Sequence, residues 1–587
     1  MRPGATPGAG ERFLSAEDVS SLRRTRRYAV PHWMIERSAE RRLAGDWRGA
    51  LAVAKVDVTF DPAEVAASYG TAVASALVSD LRHLVPDLVR WHLPRVLGGR
   101  STLDTDRVVV LAGYGDGTGG LPLAPYLHLR TSPLFDGPQR LTLSFGDLSG
   151  EPSPGVFAAR IEDWRVVRYL WDARHTDGLR AVAGGGGGGR TPFFHEDGTP
   201  LTPQELAASG DDAAGRAERV TLLHQEGRVS EAFAAAGIDW DPAMPESARS
   251  WRGMDSEEIL RSTAVDITRL ETAVRRATAA TGRERFLIAN FWRGHIRLDV
   301  TDHSTGGRLR ARVVESSRPA TTPSLPEAAW RRLPDLDLLR VGAIQPRRLH
   351  PLVVRALFPA LEGPFGPPGP SLPRPVRVRC RGEWHEVVFR DGALRSPHTE
   401  EERQRESAMR AFGGAVAGCF AVEHSVTSGT GRLPKGLRAQ RRELFMRAQH
   451  GDTPGVLELL DAGIDLRVRD GRRRGLLHAL PLLDHGELLP RLLEAGLDLE
   501  ARDSLERTPL AVAVSELGSV PLVEALLDAG SRIDVIDSTE LSLAQLIRRY
   551  RRKDLGFLRE RVIAEHPGIG SAWYEKWIEH GEEDEEQ

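Results

Sequence analysis

The sequence predicts an α+β multidomain protein, with two related α+β units in its N-terminal part and an all-α array of short repeats near its C-terminal end. Three observations carry this reading. The chain has 587 residues, well past the roughly 250–300 at which a single hydrophobic core stops growing. A Leu-rich motif returns in the last quarter at intervals of 33 and then 34 residues. A fainter duplication aligns Gly45–Asp57 with Gly227–Asp239, and both copies then reach Asp-Pro-Ala, at 61–63 and 241–243.

Residues 1–27 read as a flexible basic N-terminus, and 28–180 as the first α+β unit. Within it, Asp61-Pro62-Ala63-Glu64 is a helix start: an acid at the N-cap, Pro where a missing N–H costs nothing, and Glu three residues past the cap. Strands are expected at 107–112, 126–131 and 140–146. Six glycines at 184–189 cannot hold one backbone conformation cheaply, so 181–211 is expected to be a Gly-rich linker. The second α+β unit, 212–362, repeats the order, with strands at 285–291, 295–301 and 308–315. Trp164-Arg165 and Trp330-Arg331 fall at comparable places in the two copies. A Pro/Gly linker, 363–375, leads to a small β-rich segment with a helix, 376–436. There Val376–Arg381 and Glu383–Arg390 form a hairpin, and a charged helix runs from Glu400 to Phe412.

The repeat occupies the next stretch. Leu459-Leu460-Asp461-Ala462-Gly463 returns as Leu492-Leu493-Glu494-Ala495-Gly496 and as Leu526-Leu527-Asp528-Ala529-Gly530, and Asp470, Asp503 and Asp537 each follow by seven residues. A start motif keeps the same period: Gly475-Leu476-Leu477-His478-Ala479, Thr508-Pro509-Leu510-Ala511-Val512 and Leu541-Ser542-Leu543-Ala544. Each Leu pair suits the buried face of a helix, and Gly463, Gly496 and Gly530 supply the left-handed residue that ends one. The pattern resembles the ankyrin repeat over residues 437–566, about four units with an atypical first and a degenerate last. That resemblance implies an all-α ankyrin-repeat solenoid with Asp470, Asp503 and Asp537 at the turns of hairpin fingers. It also implies a structural role for His478 and a contact region on the finger tips and the concave helix surface. Residues 567–587 are expected to form a capping helix, with Trp573, Tyr574, Trp577 and Ile578 on one face, and an acidic tail.

Composition excludes several function classes. Hydrophobic content of 41% and charged content of 27% are those of a globular chain. Only four of the 79 basic residues are Lys, a bias expected of a GC-rich bacterial genome. The net charge of −3 provides no global field toward nucleic acid or membrane. Two cysteines exclude a disulfide framework and fit a reducing compartment. The start lacks the apolar stretch of a signal peptide, and no window reaches ~18 consecutive apolar residues. The expectation is a cytoplasmic protein with no membrane partner.

Candidate chemistry is sparse. Cys380-x4-His385 and Cys419-x4-His424 share a spacing and offer four metal ligands. Residues five apart, however, point to opposite faces of a strand and sit about 140° apart on a helix, and zinc sites usually pair ligands two to four residues apart. Only a tight turn at Arg381–Gly382 would join Cys380 to His385, so no zinc and no cofactor are expected and the cysteines read as buried structural residues. Gly113–Gly120 follows an apolar strand, but Pro122 and Pro125 oppose the helix that a phosphate loop needs. Asp172, His175 and Asp177 have no nucleophile motif beside them. His295 and His303 read as strand-end or surface residues, and His195–Gly198 as a turn. Arg23–Arg27 with Tyr28 and Trp33, and Arg548–Lys553 around Tyr550, combine guanidinium and aromatic groups. No nucleic-acid-binding signature organises them, so nucleic acid is disfavoured.

These readings lead to a non-catalytic adaptor that binds a protein partner through its ankyrin-repeat groove. The partner-binding candidates are Arg467, Arg469, Arg472, Arg473 and Arg474 around the first finger, with Arg502 and Arg507 on the second. A groove grading from basic to acidic gives orientation and specificity more than affinity. The rival readings are an enzyme or small-molecule-binding regulator in the N-terminal units, and an Arg-mediated nucleic-acid binder.

Overall fold

In the computed structural model the sequence duplication reappears as a duplicated topology, in a chain of mixed α/β character with three small sheets among the described residues. The structure describes residues 14–98, 100–115, 125–148, 160–186, 189–244, 256–261, 263–290, 294–301, 308–314, 322–414 and 417–574. The first copy runs through α1 (Ala16–Tyr28), α2 (His32–Leu43), α3 (Trp47–Val53), β1 (Val56–Val58), α4 (Pro62–Tyr69), α5 (Thr71–His83), α6 (Pro86–His92), β2 (Arg107–Gly113), β3 (Tyr126–Thr131), β4 (Leu141–Gly146) and β5 (Arg160–Asp163). After α7 (Gly178–Arg180) and α8 (Pro203–Ala207), the second comprises α9 (Ala213–Gln225), α10 (Val229–Ala235), β6 (Asp239–Asp241), α11 (Ser256–Arg261), α12 (Ile267–Thr281), β7 (Arg285–Asn290), β8 (Gly294–Thr301) and β9 (Arg308–Val314). Helices α13 (Glu327–Trp330), α14 (Pro334–Arg340) and α15 (Pro351–Leu357) complete it.

The correspondence extends to aligned turn residues. Gly45 and Gly227, aligned in the duplication, both take positive φ, 79° and 80°, between one helix and the next. Lys55 and Gly237, also aligned, are left-handed at 56° and 73° and turn the chain into a three-residue strand. That strand lies parallel to the last strand of an antiparallel meander, giving the orders β1-β4-β3-β2 and β6-β9-β8-β7; the first sheet adds β5, parallel to β2. The Asp61 carboxylate accepts the Ala63 N–H and Pro62 opens α4, the cap arrangement its sequence encodes.

The two copies share one core. Val109, Leu127 and Leu143 of the first sheet and Ile288, Ile296 and Leu298 of the second belong to the same buried cluster. Arg26 Nε donates to Asp335 Oδ1 (2.5 Å), and Trp91 Nε1 donates to the other oxygen (3.0 Å). Residues 16–27, expected to be flexible, are therefore mostly a docked helix. Within the stretch expected to be a linker, residues 191–194 are packed in place: Thr191 Oγ1 donates to the Leu357 carbonyl (2.6 Å), and Phe194 meets Phe358 edge-on. Residues 1–133 and 140–368 form one compact unit, and 134–139 with 369–587 form another.

The second unit opens with β10 (Val376–Cys380), β11 (Glu383–Arg390) and β12 (Ala393–Arg395), an antiparallel meander, followed by α16 (Glu400–Ala411) and α17 (Gly418–Ser428). Helix pairs follow: α18 (Lys435–Gln449) with α19 (Thr453–Asp461), a 3₁₀ turn Leu476–Leu482 with α20 (His485–Glu494), α21 (Pro509–Ser515) with α22 (Val520–Asp528), and α23 (Leu543–Arg549) with α24 (Gly556–Glu565). Side-chain caps from Asp452, Asp484, Thr508, Ser519 and Ser542 start the helices. The second pair opens on a 3₁₀ turn containing Pro481, which has no N–H to extend an α-helix. One buried cluster runs from Val378 of β10 to Val562 of α24.

Candidate metal centre and finger surface

Each link between successive helix pairs closes on the same device. Asp470 Oδ1 accepts the N–H groups of Arg472 and Arg474, Asp503 Oδ1 those of Leu505 and Arg507, and Asp537 Oδ1 those of Thr539 and Leu541. The residues Arg473, Glu506 and Glu540 are left-handed, as such turns require. Neighbouring turns join through Ser504 N–H to the Arg472 carbonyl (2.8 Å) and Ser538 N–H to the Leu505 carbonyl (2.9 Å). An Asp every 33 or 34 residues thus builds a ladder of turns.

The seven arginines expected to meet a partner divide into two groups. Arg469 donates to the carbonyls of Arg473 and Arg502, and Arg502, one period later, to those of Glu506 and Ile536. Each clips its own finger to the next. Arg474 and Arg507 turn inward to Asp503 and Glu516, with Asp503 Oδ2 2.9 Å from Arg507 Nη2. Burial pushes the Glu516 carboxyl up, against the pull of both guanidinia. Arg469, Arg474, Arg502 and Arg507 are therefore bonded within the array, to their own turn and to neighbouring turns and helices. Arg467, Arg472 and Arg473 remain largely exposed, with side chains 63%, 55% and 42% accessible, in ion pairs with Asp465, Asp136 and Glu506. The tips also carry Leu505, 50% exposed, and Ile536, 41% exposed, which charge-based reading missed. Arg467 further lines a groove of about 350 Å³ with Arg403, Arg410 and His424.

A second cluster lies at the head of the same unit. Cys380 ends β10 and pairs with Glu383 across a two-residue turn, Arg381 and Gly382, both with positive φ. That turn folds the strand back, so His385, opposite Val378, shares a face with Cys380. Counting five residues along one strand gave the wrong face because the strand ends between them. His398 precedes α16, and Cys419 sits in the first turn of α17. His385 Nδ1 and His398 Nε2 are 3.1 Å apart, Cys380 Sγ is 3.4 Å from His398 Nε2, and Cys419 Sγ is 3.6 Å from His385 Nδ1. All four ligand atoms fall within 4.8 Å of one another. His424 is elsewhere, its Nδ1 accepting from Arg410. The signal for His398 was present in Pro397-His398-Thr399 followed by Glu402, since a residue just before a helix N-cap is held in one place.

The remaining candidates have structural partners. Asp172 is buried and receives Arg168 and Arg174, while His175 Nδ1 lies 3.2 Å away. Burial opposes its ionisation, yet hydrogen bonds from Arg174 and Arg168 hold its carboxyl down at about 2. His478 Nδ1 accepts the Gly475 N–H and its Nε2 donates to the Arg507 carbonyl in the next repeat. His295 is the second residue of β8, the strand-end place read for it, and is buried. Arg26 is buried against Asp335, and Arg552 donates to the carbonyls of Ala513, Val514 and Gly518; neither guanidinium is presented to a polyanion. Tyr574 is buried and Trp573 is 70% exposed. His303, the loop 116–124, Trp577, Ile578 and the acidic tail lie outside the described residues. No helix among the described residues is long and apolar enough to cross a membrane.

Compared with protein-family models and with curated proteins, the chain matches none.

Proposed function

We propose that the chain is a non-catalytic adaptor, that residues 437–566 are an ankyrin-repeat array, and that a protein partner docks along its finger edge. The observation that carries the reading is the division of the arginines. Four hold the fingers in register, and three remain exposed; the pairs of Arg472 and Arg473, exposed on both sides, can be replaced by a partner's carboxylates at small cost, since exposed pairs contribute only about 0–1 kcal/mol. Arg467, Arg472 and Arg473 beside Leu505 and Ile536 suit a partner segment combining acidic and apolar side chains. Asp172, a candidate for acid–base chemistry beside His175, is held by two guanidinia, which favours an adaptor over an enzyme.

Photocrosslinking of the full chain in a lysate of its own host tests this. A benzophenone side chain at Arg472 or Leu505 should label a discrete polypeptide, and one at the exposed Arg561 of α24 should not. Equal labelling at all three positions would sink the proposal.

A further inference from the structure

We propose that Cys380, His385, His398 and Cys419 form a structural zinc site that staples the β10–β12 sheet to α17. The inference goes beyond the adaptor reading and stands without it. Its first support is geometric. Zinc bound at about 2.3 Å by sulfur and 2.0–2.1 Å by imidazole nitrogen, in a tetrahedron, places nitrogens about 3.3 Å apart and nitrogen about 3.5 Å from sulfur. The observed separations are 3.1 Å for the nitrogen pair and 3.4 and 3.6 Å for the nitrogen–sulfur pairs. These four side chains reach one point from a strand end, a second strand, a loop and a helix, although 39 residues separate the first from the last.

The surroundings complete the site. His398 Nδ1 lies 3.2 Å from Glu402 Oε2; donating there, it leaves Nε2 bare as a ligand, the outer-shell arrangement by which carboxylates orient metal-binding imidazoles. Glu402 is fixed in turn by the Thr399 capping box of α16. Cys380 and Cys419 are 2% and 0% exposed, and a soft, closed S₂N₂ set selects zinc over magnesium or calcium. Gly418 takes φ +62°, and a Cβ there would stand 2.5 Å from Cys380 Sγ, so glycine permits the close approach of α17. Binding a divalent ion displaces the thiol protons into solvent. The staple also bears on the fingers, because the Val426 carbonyl of α17 accepts the Arg469 N–H (3.0 Å).

The test uses the full chain, loaded with zinc chloride, gel-filtered and analysed for bound metal by mass spectrometry. About one zinc per chain is expected, resistant to mild chelator. His398→Gln and Cys419→Ser should each lower retention at least tenfold, whereas His424→Gln should retain the wild-type amount. Should either variant fail to fold, the wild-type protein still decides: a mercurial thiol reagent should release the zinc to a chromogenic chelator, and cobalt should give the intense visible bands of tetrahedral S₂N₂ ligation. Folded wild-type chain holding under one-tenth of an equivalent, His398→Gln retaining zinc fully, or His424→Gln losing it equally would overturn the assignment. So would an iron–sulfur chromophore in the purified protein.

Discussion

Replacing Arg507 by Ala should destabilise the second unit far more than replacing Arg472, although the two look alike in sequence. Arg507 is 7% exposed and lies between Asp503 and Glu516, whose side chains are 1% and 8% exposed. Removing one partner of a buried ion pair typically costs 3–5 kcal/mol, because the charge left behind has lost its water without a replacement. Here the lower end applies. Arg474 remains 2.5 Å from Glu516 and 3.4 Å from Asp503, so one net negative charge, not two, is stranded. About 3 kcal/mol should be lost, a shift of about 1–2 M in urea midpoint at an m-value of about 2–3 kcal/mol/M. Arg472 sits in an exposed pair with Asp136, and its removal should cost under about 1 kcal/mol. Hydrogen exchange of the peptides spanning 476–549, followed through a urea series, localises the loss to this unit. The penalty of Arg507→Ala should also shrink toward pH 5, since burial already favours protonated Glu516. Comparable stabilities for the two variants would refute the division between internal and partner-facing arginines.

Two pH dependences follow from the buried titratable groups. Burial holds His478 neutral, with its pKa lowered to about 4. The unfolded chain, near 6.5, binds the extra proton between those values, so stability is full above pH 6.5 and falls as pH drops, by about 2 kcal/mol at pH 5. His478→Gln should flatten that slope in hydrogen exchange of 475–507; an unchanged slope would contradict the assignment. Asp172, an acid, runs in the same direction over a lower window: its stabilisation is present above about pH 4 and disappears as pH falls to about 2, amounting to about 2 kcal/mol. Asp172→Asn should lose that much at pH 7 and little at pH 2, read by acid unfolding of the N-terminal unit.

Much of the local structure was legible because it is set within a few residues. Asp470, Asp503 and Asp537 bond their own downstream backbone, and the caps at Asp61 and Thr508 act within one turn. The meander strands were legible for the same reason: they are unbroken apolar or alternating runs, as in β2 and β9. What escaped depends on distant residues. The parallel pairing of β1 with β4 joins Val56 to Leu141, and no local pattern announces it. The shared core hides in side chains such as Asp335, whose partners Arg26 and Trp91 lie hundreds of residues away. At the metal centre, three of the four ligands were noticed and then set aside by a rule for continuous strands. The turn at Arg381–Gly382 suspends that rule. For the arginines, charge is visible in sequence, while the carboxylate that meets it, as Glu516 does for Arg474 and Arg507, is not.

The adaptor reading is tested most directly by the affinity of the crosslinked partner, once purified, for a full chain carrying Arg467→Glu, Arg472→Glu and Arg473→Glu. At about 0.5 kcal/mol per lost contact and more for each new repulsion, binding should weaken at least tenfold, chiefly through association rate. Reversal of the exposed Arg275 in α12 should leave it unchanged. Equal affinity of the triple variant and the wild type would contradict the account.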